Sequence, residues 1–119
     1  PLQSMHLIKG NHDVLLPMEW KMEGLIVDTE LHDSGLFFVH DPKEYPVQQG
    51  EWTVCGHIHP AVRLVGEGRQ SLRLPCWWLN QKTQQLTMPA FGSFTGSFTV
   101  RPNKEDTCYV TTGSAVLEV

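Results

Sequence analysis

The sequence predicts a strand-rich α+β domain. Short apolar runs recur along the chain, glycines and polar turn residues separate them at hairpin spacing, and a single stretch carries the marks of a helix. Leu7-Ile8, Leu36-Phe37-Phe38-Val39 and Trp52-Thr53-Val54-Cys55 read as strands buried on both faces. Between the first two, Pro17 suits a first helical position, Met18 and Met22 share a face and Gly24 closes the end, which predicts one short helix. Leu25-Ile26-Val27 follows as a strand, with Asp33-Ser34-Gly35 as a turn before Leu36. Three hairpins are expected in the second half. Ala61–Val65 and Ser71–Leu74 flank Gly66–Arg69; Cys76–Leu79 and Gln85–Met88 flank a polar loop; Thr107–Thr111 and Ala115–Val119 flank Thr112-Gly113-Ser114. Trp77 and Trp78 must point to opposite faces of their strand.

A length of 119 residues gives one domain, residues 1–119, with one modest core; no linker or internal repeat divides it. Hydrophobic residues at 40% and charged residues at 18% describe a globular chain. The net charge of −4 and the scatter of nine basic residues exclude a surface that grips nucleic acid by phosphate attraction alone, so any such contact is local or metal-mediated. Cys55, Cys76 and Cys108 form no Cys-x-x-Cys pair; an odd, dispersed set fits free thiols in a reducing compartment, and the cytoplasm is the expected location. No apolar run approaches the roughly 18 residues of a membrane span, so no membrane partner is expected. The chain opens Pro1-Leu2-Gln3-Ser4 and enters the strand-like Met5–Lys9 at once, which reads as a truncated domain.

The histidines fall where three apolar runs end. Leu7-Ile8-Lys9 leads into Gly10-Asn11-His12-Asp13, Phe37-Phe38-Val39 into His40-Asp41, and Val54-Cys55 into Gly56-His57-Ile58-His59. Ligands of open α/β sheets collect outside the carboxyl ends of strands, so three neighbouring strands ending this way gather imidazoles, an amide and carboxylates into one crevice. In an extended segment His57 and His59 face one side about 6.5 Å apart, able to reach two ions about 3.5–4 Å apart. Asn11 offers a neutral carbonyl oxygen to a cation, and His12 beside Asp13 has the form of an acid with its orienting carboxylate. His6 and His32 stand outside these motifs and read as ordinary histidines.

As a set, Gly10-Asn11-His12-Asp13, His40 after its apolar strand, and Gly56-His57-Ile58-His59 resemble the last three motifs of the calcineurin-like metallophosphoesterases. Gly56–Leu64, Gly68–Trp77 and Pro89–Gly96 look like the ligase-associated DNA-damage-response branch of that family. The resemblance implies the strand-rich C-terminal portion of a four-layer α/β/β/α sandwich. It implies a hydrolase that cleaves phosphoesters of nucleic acids or nucleotides by attack of a metal-bridging hydroxide. Two divalent ions are implied, Mn²⁺ foremost, with Zn, Fe or Mg as alternatives. By the same resemblance Asn11, His40 and His57 are ligands of one metal and His59 of the other. His12 protonates the leaving oxygen or stabilises the transition state, and Asp13 orients it. DNA or RNA is the implied substrate, and a DNA-repair ligase or helicase an implied associate.

The family's opening Asp-x-His and Gly-Asp motifs, which supply the bridging carboxylate, do not occur before Gly10. This polypeptide is therefore expected to be inactive alone and, with its leading strands missing, to self-associate. The alternative reading is a non-catalytic metal-binding fragment or scaffold, or one half of a split enzyme. Among weaker candidates, Cys55 reads as a small core residue. Phe91, Phe94 and Phe98, interleaved with Gly92 and Gly96, read as core packing rather than a stacking platform for bases. Arg63, Arg69 and Arg73 each carry the guanidinium fork that fits a phosphate, and for two of the three a solvated face is the expected reading.

Overall fold

Alternating burial and turn chemistry resolve the chain into strands. A computed structural model describes residues 4–13, 24–92 and 95–119; the helix expected after Pro17 and the aromatic Phe94 lie outside these. In order the strands are β1 (Met5–Ile8), β2 (Leu25–Asp28), β3 (Glu30–Asp33), β4 (Leu36–Val39), β5 (Trp52–Cys55), β6 (Pro60–Val65), β7 (Ser71–Asn80), β8 (Gln85–Thr87), β9 (Phe98–Thr99), β10 (Asp106–Thr111) and β11 (Val116–Glu118). Strands β1 and β2 form a parallel pair of their own. The other nine form one mixed sheet in the order β11-β10-β7-β8-β5-β4-β3, with β6 on β7 and β9 on β6. This is the strand-rich portion of a sandwich that the sequence leads one to expect.

Local chemistry explains the hairpins. Ser34 and Gly35 both hold positive φ, 52° and 80°, as the two-residue turn joining β3 to β4 requires. That hairpin includes a strand, β3, that the sequence does not announce, since Glu30-Leu31-His32-Asp33 carries only one apolar residue. The three expected hairpins of the second half all form. Ser71–Leu74 and Cys76–Leu79, expected as two strands, are one ten-residue strand. Pro75 removes a backbone donor without breaking β7, because the partner changes there: Ser71–Pro75 pair with β6, and Cys76–Asn80 with β10.

Two small cores result. Val62, Cys76, Val100, Cys108 and Val110 form one, with Trp78 packed against it; Phe37, Val39 and Cys55 form the other, with Tyr45 beside them. Trp77 lines a surface hollow with Leu79, Leu86, Tyr109 and Val116, so the two tryptophans do take opposite faces. Burial on both faces does not hold for β4, where Leu36 is exposed and only Phe37 and Val39, on one face, are buried; Leu7 and Ile8 of β1 are both half-buried. Phe91 and Phe98 are exposed, at 110% and 64%, which overturns the expected core packing. The radius of gyration is 16.2 Å, against about 13.5 Å for a compact chain of this length. No helix among the described residues is long and apolar enough to cross a membrane.

Candidate metal centre

Strands β4 and β5 are parallel neighbours, with Phe37 opposite Thr53 and Phe38 opposite Val54, so their carboxyl ends emerge side by side. The chain after β4 begins at His40 and the chain after β5 at Gly56. One carbonyl joins them: His40 O accepts from the amides of Gly56 and His57, at 3.2 and 3.1 Å. The backbone itself thus sets one imidazole against the other, with ring centroids 4.9 Å apart and planes nearly perpendicular.

The segment Gly56–His59 is a turn, not the extended run expected. His59 donates its amide to Gly56 O at 3.2 Å, and its φ is +49°. His57 and His59 therefore do not project to one side by strand alternation. A left-handed residue reverses the chain there so that Pro60 can start β6.

The third motif arrives from the other sheet; β1 is not a neighbour of β4 or β5, contrary to the expectation of three adjacent strands. Lys9 N still pairs with Asp28 O at 2.8 Å, and the chain then turns, with the Gly10 amide donating to Asp13 Oδ2 at 2.7 Å. Gly10 is needed for close approach. A Cβ at that position would lie 3.0 Å from the His40 ring and 3.3 Å from Asp13 Oδ2.

Three donor atoms meet at His40. Its Nε2 lies 2.9 Å from Asn11 Oδ1 and 3.0 Å from His57 Nδ1. A ring nitrogen carries either one hydrogen or one lone pair, so Nε2 cannot form good hydrogen bonds to both neighbours. A cation resolves the conflict, because all three atoms can then present lone pairs. Adjacent ligands about 2.1 Å from an octahedral ion sit about 3.0 Å apart, the spacing of both contacts. The residues present fit a divalent ion with mixed nitrogen and oxygen ligands. Among the described residues no group of three or more His, Cys, Asp and Glu side chains is gathered to hold a metal; here the third donor is an amide oxygen.

Electrostatics favour the same state. Burial first, then the neighbouring His57, pushes the His40 pKa below its ordinary 6.5, partly offset by Asp41 and Asp13. The shift favours the neutral ring, the form in which an imidazole can hold a metal ion. Asp41 faces His57 from behind, its Oδ2 3.6 Å from His57 Nε2, while its Oδ1 accepts from Lys43 N at 3.0 Å to start a short 3-10 turn. Metal-ligating histidines commonly have a carboxylate behind the second ring nitrogen. Only adjacency to His40 marked Asp41 in the sequence.

The remaining candidates are placed less centrally. His59 directs Nδ1 to Gly96 O at 2.9 Å and is close enough to bear on the charge of His40. His12 is exposed at the Asn11-His12 turn, and the Asp13 carboxylate is engaged by the Gly10 amide. Cys55 is buried with its Sγ 3.5 Å from Thr87 Oγ1 and its pKa raised by burial, a core thiol. His6 and His32 pair with Asp28 and Glu51, both at 2.7 Å, away from the cluster. Asn11, His40, Asp41 and His57 line a cleft of about 420 Å³. Asp41 and His57 also line a second of about 380 Å³, which holds Trp78 and Phe98.

No protein-family model matches this chain, and no curated protein matches it. In structure it is similar to the Pseudomonas putida nuclease MPE, with a TM-score of 0.70 and 25% sequence identity over 98% of this chain and 54% of that one. The chain spans about half the length of that nuclease.

Proposed function

We propose that this chain is the metal-binding portion of a divalent-metal-dependent phosphodiesterase that acts on nucleic acid. The reading rests on the approach of Asn11 Oδ1 and His57 Nδ1 to one nitrogen of His40, at 2.9 and 3.0 Å. The likeness to a nuclease supports it. In this proposal Asn11, His40 and His57 hold one cation, Mn²⁺ or a chemically close ion, and His59 contributes to a second. When bound, such ions supply Lewis acidity and a nucleophile active near neutral pH. Asp41 holds His57 in the ring orientation that turns Nδ1 to the cleft. His12, exposed in the turn next to Asn11, donates the proton that the leaving oxygen needs. Asp13 serves it by fixing that turn.

Titration calorimetry with Mn²⁺ tests the assignment. A binding event present in the chain and lost in His57→Ala is expected; an isotherm unchanged by the substitution overturns it. The Asp-x-His and Gly-Asp motifs do not occur in this polypeptide. With Mn²⁺ it is therefore expected to hydrolyse a bis-aryl phosphate no faster than His57→Ala. A polypeptide that also carries those motifs should lose most of its activity on His12→Ala. If that longer polypeptide is itself inactive, the non-catalytic metal-binding reading takes its place.

A further inference from the structure

The β6–β7 hairpin carries a feature that the metal centre does not use. Arg63 and Arg73 are directly opposite each other in the antiparallel register, on the exposed face of the hairpin. Like charges so placed repel and destabilise the pair. Among the described residues neither guanidinium has a carboxylate within 4.0 Å, although the chain as a whole is acidic, at −4. Instead, both are held by neutral partners. Arg73 donates through Nε to Thr99 Oγ1 at 2.7 Å and through Nη2 to Ser97 O at 2.8 Å, while Arg63 donates through Nη1 to Ser71 Oγ at 3.2 Å. Ordering a guanidinium without neutralising it leaves a fixed positive charge with donors to spare, which is the chemistry of phosphate recognition.

The position of the pair gives it meaning. The segment that Arg73 anchors, Ser97–Thr99, continues from Gly96, whose carbonyl accepts from His59. Arg63 lies three residues beyond Pro60, which follows His59 and starts β6, about 10 Å at strand rise. Resting on the proposed function, we infer that Arg63 and Arg73 form a backbone-phosphate contact that seats a nucleic-acid strand beside the metal centre, outside the reacting phosphodiester. Because the chain as a whole carries a net charge of −4, a local pair of this kind makes the attraction directional.

The test is fluorescence anisotropy of a labelled DNA duplex with the 119-residue chain, with EDTA present to separate binding from cleavage. The wild-type chain is expected to bind, and Arg63→Ala to weaken binding and flatten the slope of log affinity against log salt by about one phosphate's worth. Arg63→Lys, which keeps the charge, should restore most of the slope. The double variant Arg63→Ala/Arg73→Ala should lose roughly tenfold or more in affinity. Since Arg73 also braces β9, Arg63→Ala alone decides the matter if the double variant melts. Absence of binding by the wild type, or an unchanged slope in Arg63→Ala, overturns the inference. Normal Mn²⁺ binding with Arg63-independent DNA affinity would sink this surface and leave the phosphodiesterase reading standing. Arg63-dependent affinity without Mn²⁺ binding would do the reverse.

Discussion

The two halves of the candidate metal centre are held in different ways. At the junction of β4 and β5 the backbone does the positioning: parallel pairing brings the strand ends together, and His40 O takes two amides of the next turn. Phe37, Val39 and Cys55 form a core beneath. At the end of β1 the contact with the junction is made by side chains. Asn11 reaches His40 through its amide, and a Cβ at Gly10 would lie 3.0 Å from the ring and crowd it. The first half is a rigid support for two imidazoles, and the second is a docked arm. Metal affinity is therefore expected to depend on both, whereas fold stability depends on the first.

The largest effect should come from Phe37→Ala. Phe37 is 2% exposed, stacks on His32 at 4.4 Å and meets Tyr45 edge-on at 5.7 Å. Urea denaturation should show a loss of about 3–5 kcal/mol; a loss below about 1 kcal/mol would mean that the junction is not the support described. Gly10→Val attacks the arm instead. It should cost about 1–3 kcal/mol of Mn²⁺ binding by calorimetry, with a much smaller change in the urea midpoint. Equal losses in both measurements would erase the distinction between arm and support.

Asp41→Asn should have a milder effect, about tenfold in Mn²⁺ affinity. Asparagine can still accept from Lys43 N, so the short turn survives while the charge behind His57 is lost. Asp41 raises the His40 pKa, so NMR titration should find that value lower still in the variant. An upward movement would show that the Asp41 charge does not act on His40 in this way.

Opposite signs are expected in the pH dependence of His40, beside one core, and Cys76, inside the other. The folded pKa of His40 lies below 6.5, so its contribution to stability is present above that pH and is lost as pH falls through the folded value. Cys76, in the other core, is pushed up to about 12, first by burial and then by Cys108. Its contribution is complete below pH 9 and is lost as pH rises from there toward 12. Denaturation midpoints of the metal-free chain, compared with His40→Gln on the acid side and Cys76→Ala on the alkaline side, should separate the two. If either substitution leaves its pH limb unchanged, that assignment is wrong.

Much of this organisation is legible in the residues alone. The hairpins at Gly66–Arg69 and Thr112–Ser114 follow from turn residues between apolar runs, and the turn at Ser34-Gly35 from its own residues, because backbone preferences at those positions are local. The three motifs at strand ends are legible for the same reason, and Asn11, His40 and His57 do come into contact. Less legible are β3, whose single leucine gives no alternating pattern, and Asp41, whose importance depends on which side of His57 it occupies.

What the sequence determined by itself was the identity of the donors and their place at the ends of extended segments, since side-chain chemistry and short-range φ/ψ preferences are properties of neighbouring residues. The tertiary structure decided the rest. It placed β1 in a separate sheet, turned His59 through a left-handed residue, carried β7 straight through Pro75 and left Phe91 and Phe98 in solvent. Strand pairing and burial are free energies shared by residues far apart in the chain, so a local pattern reports which residues can form a strand, and the assembled sheets decide beside which partner.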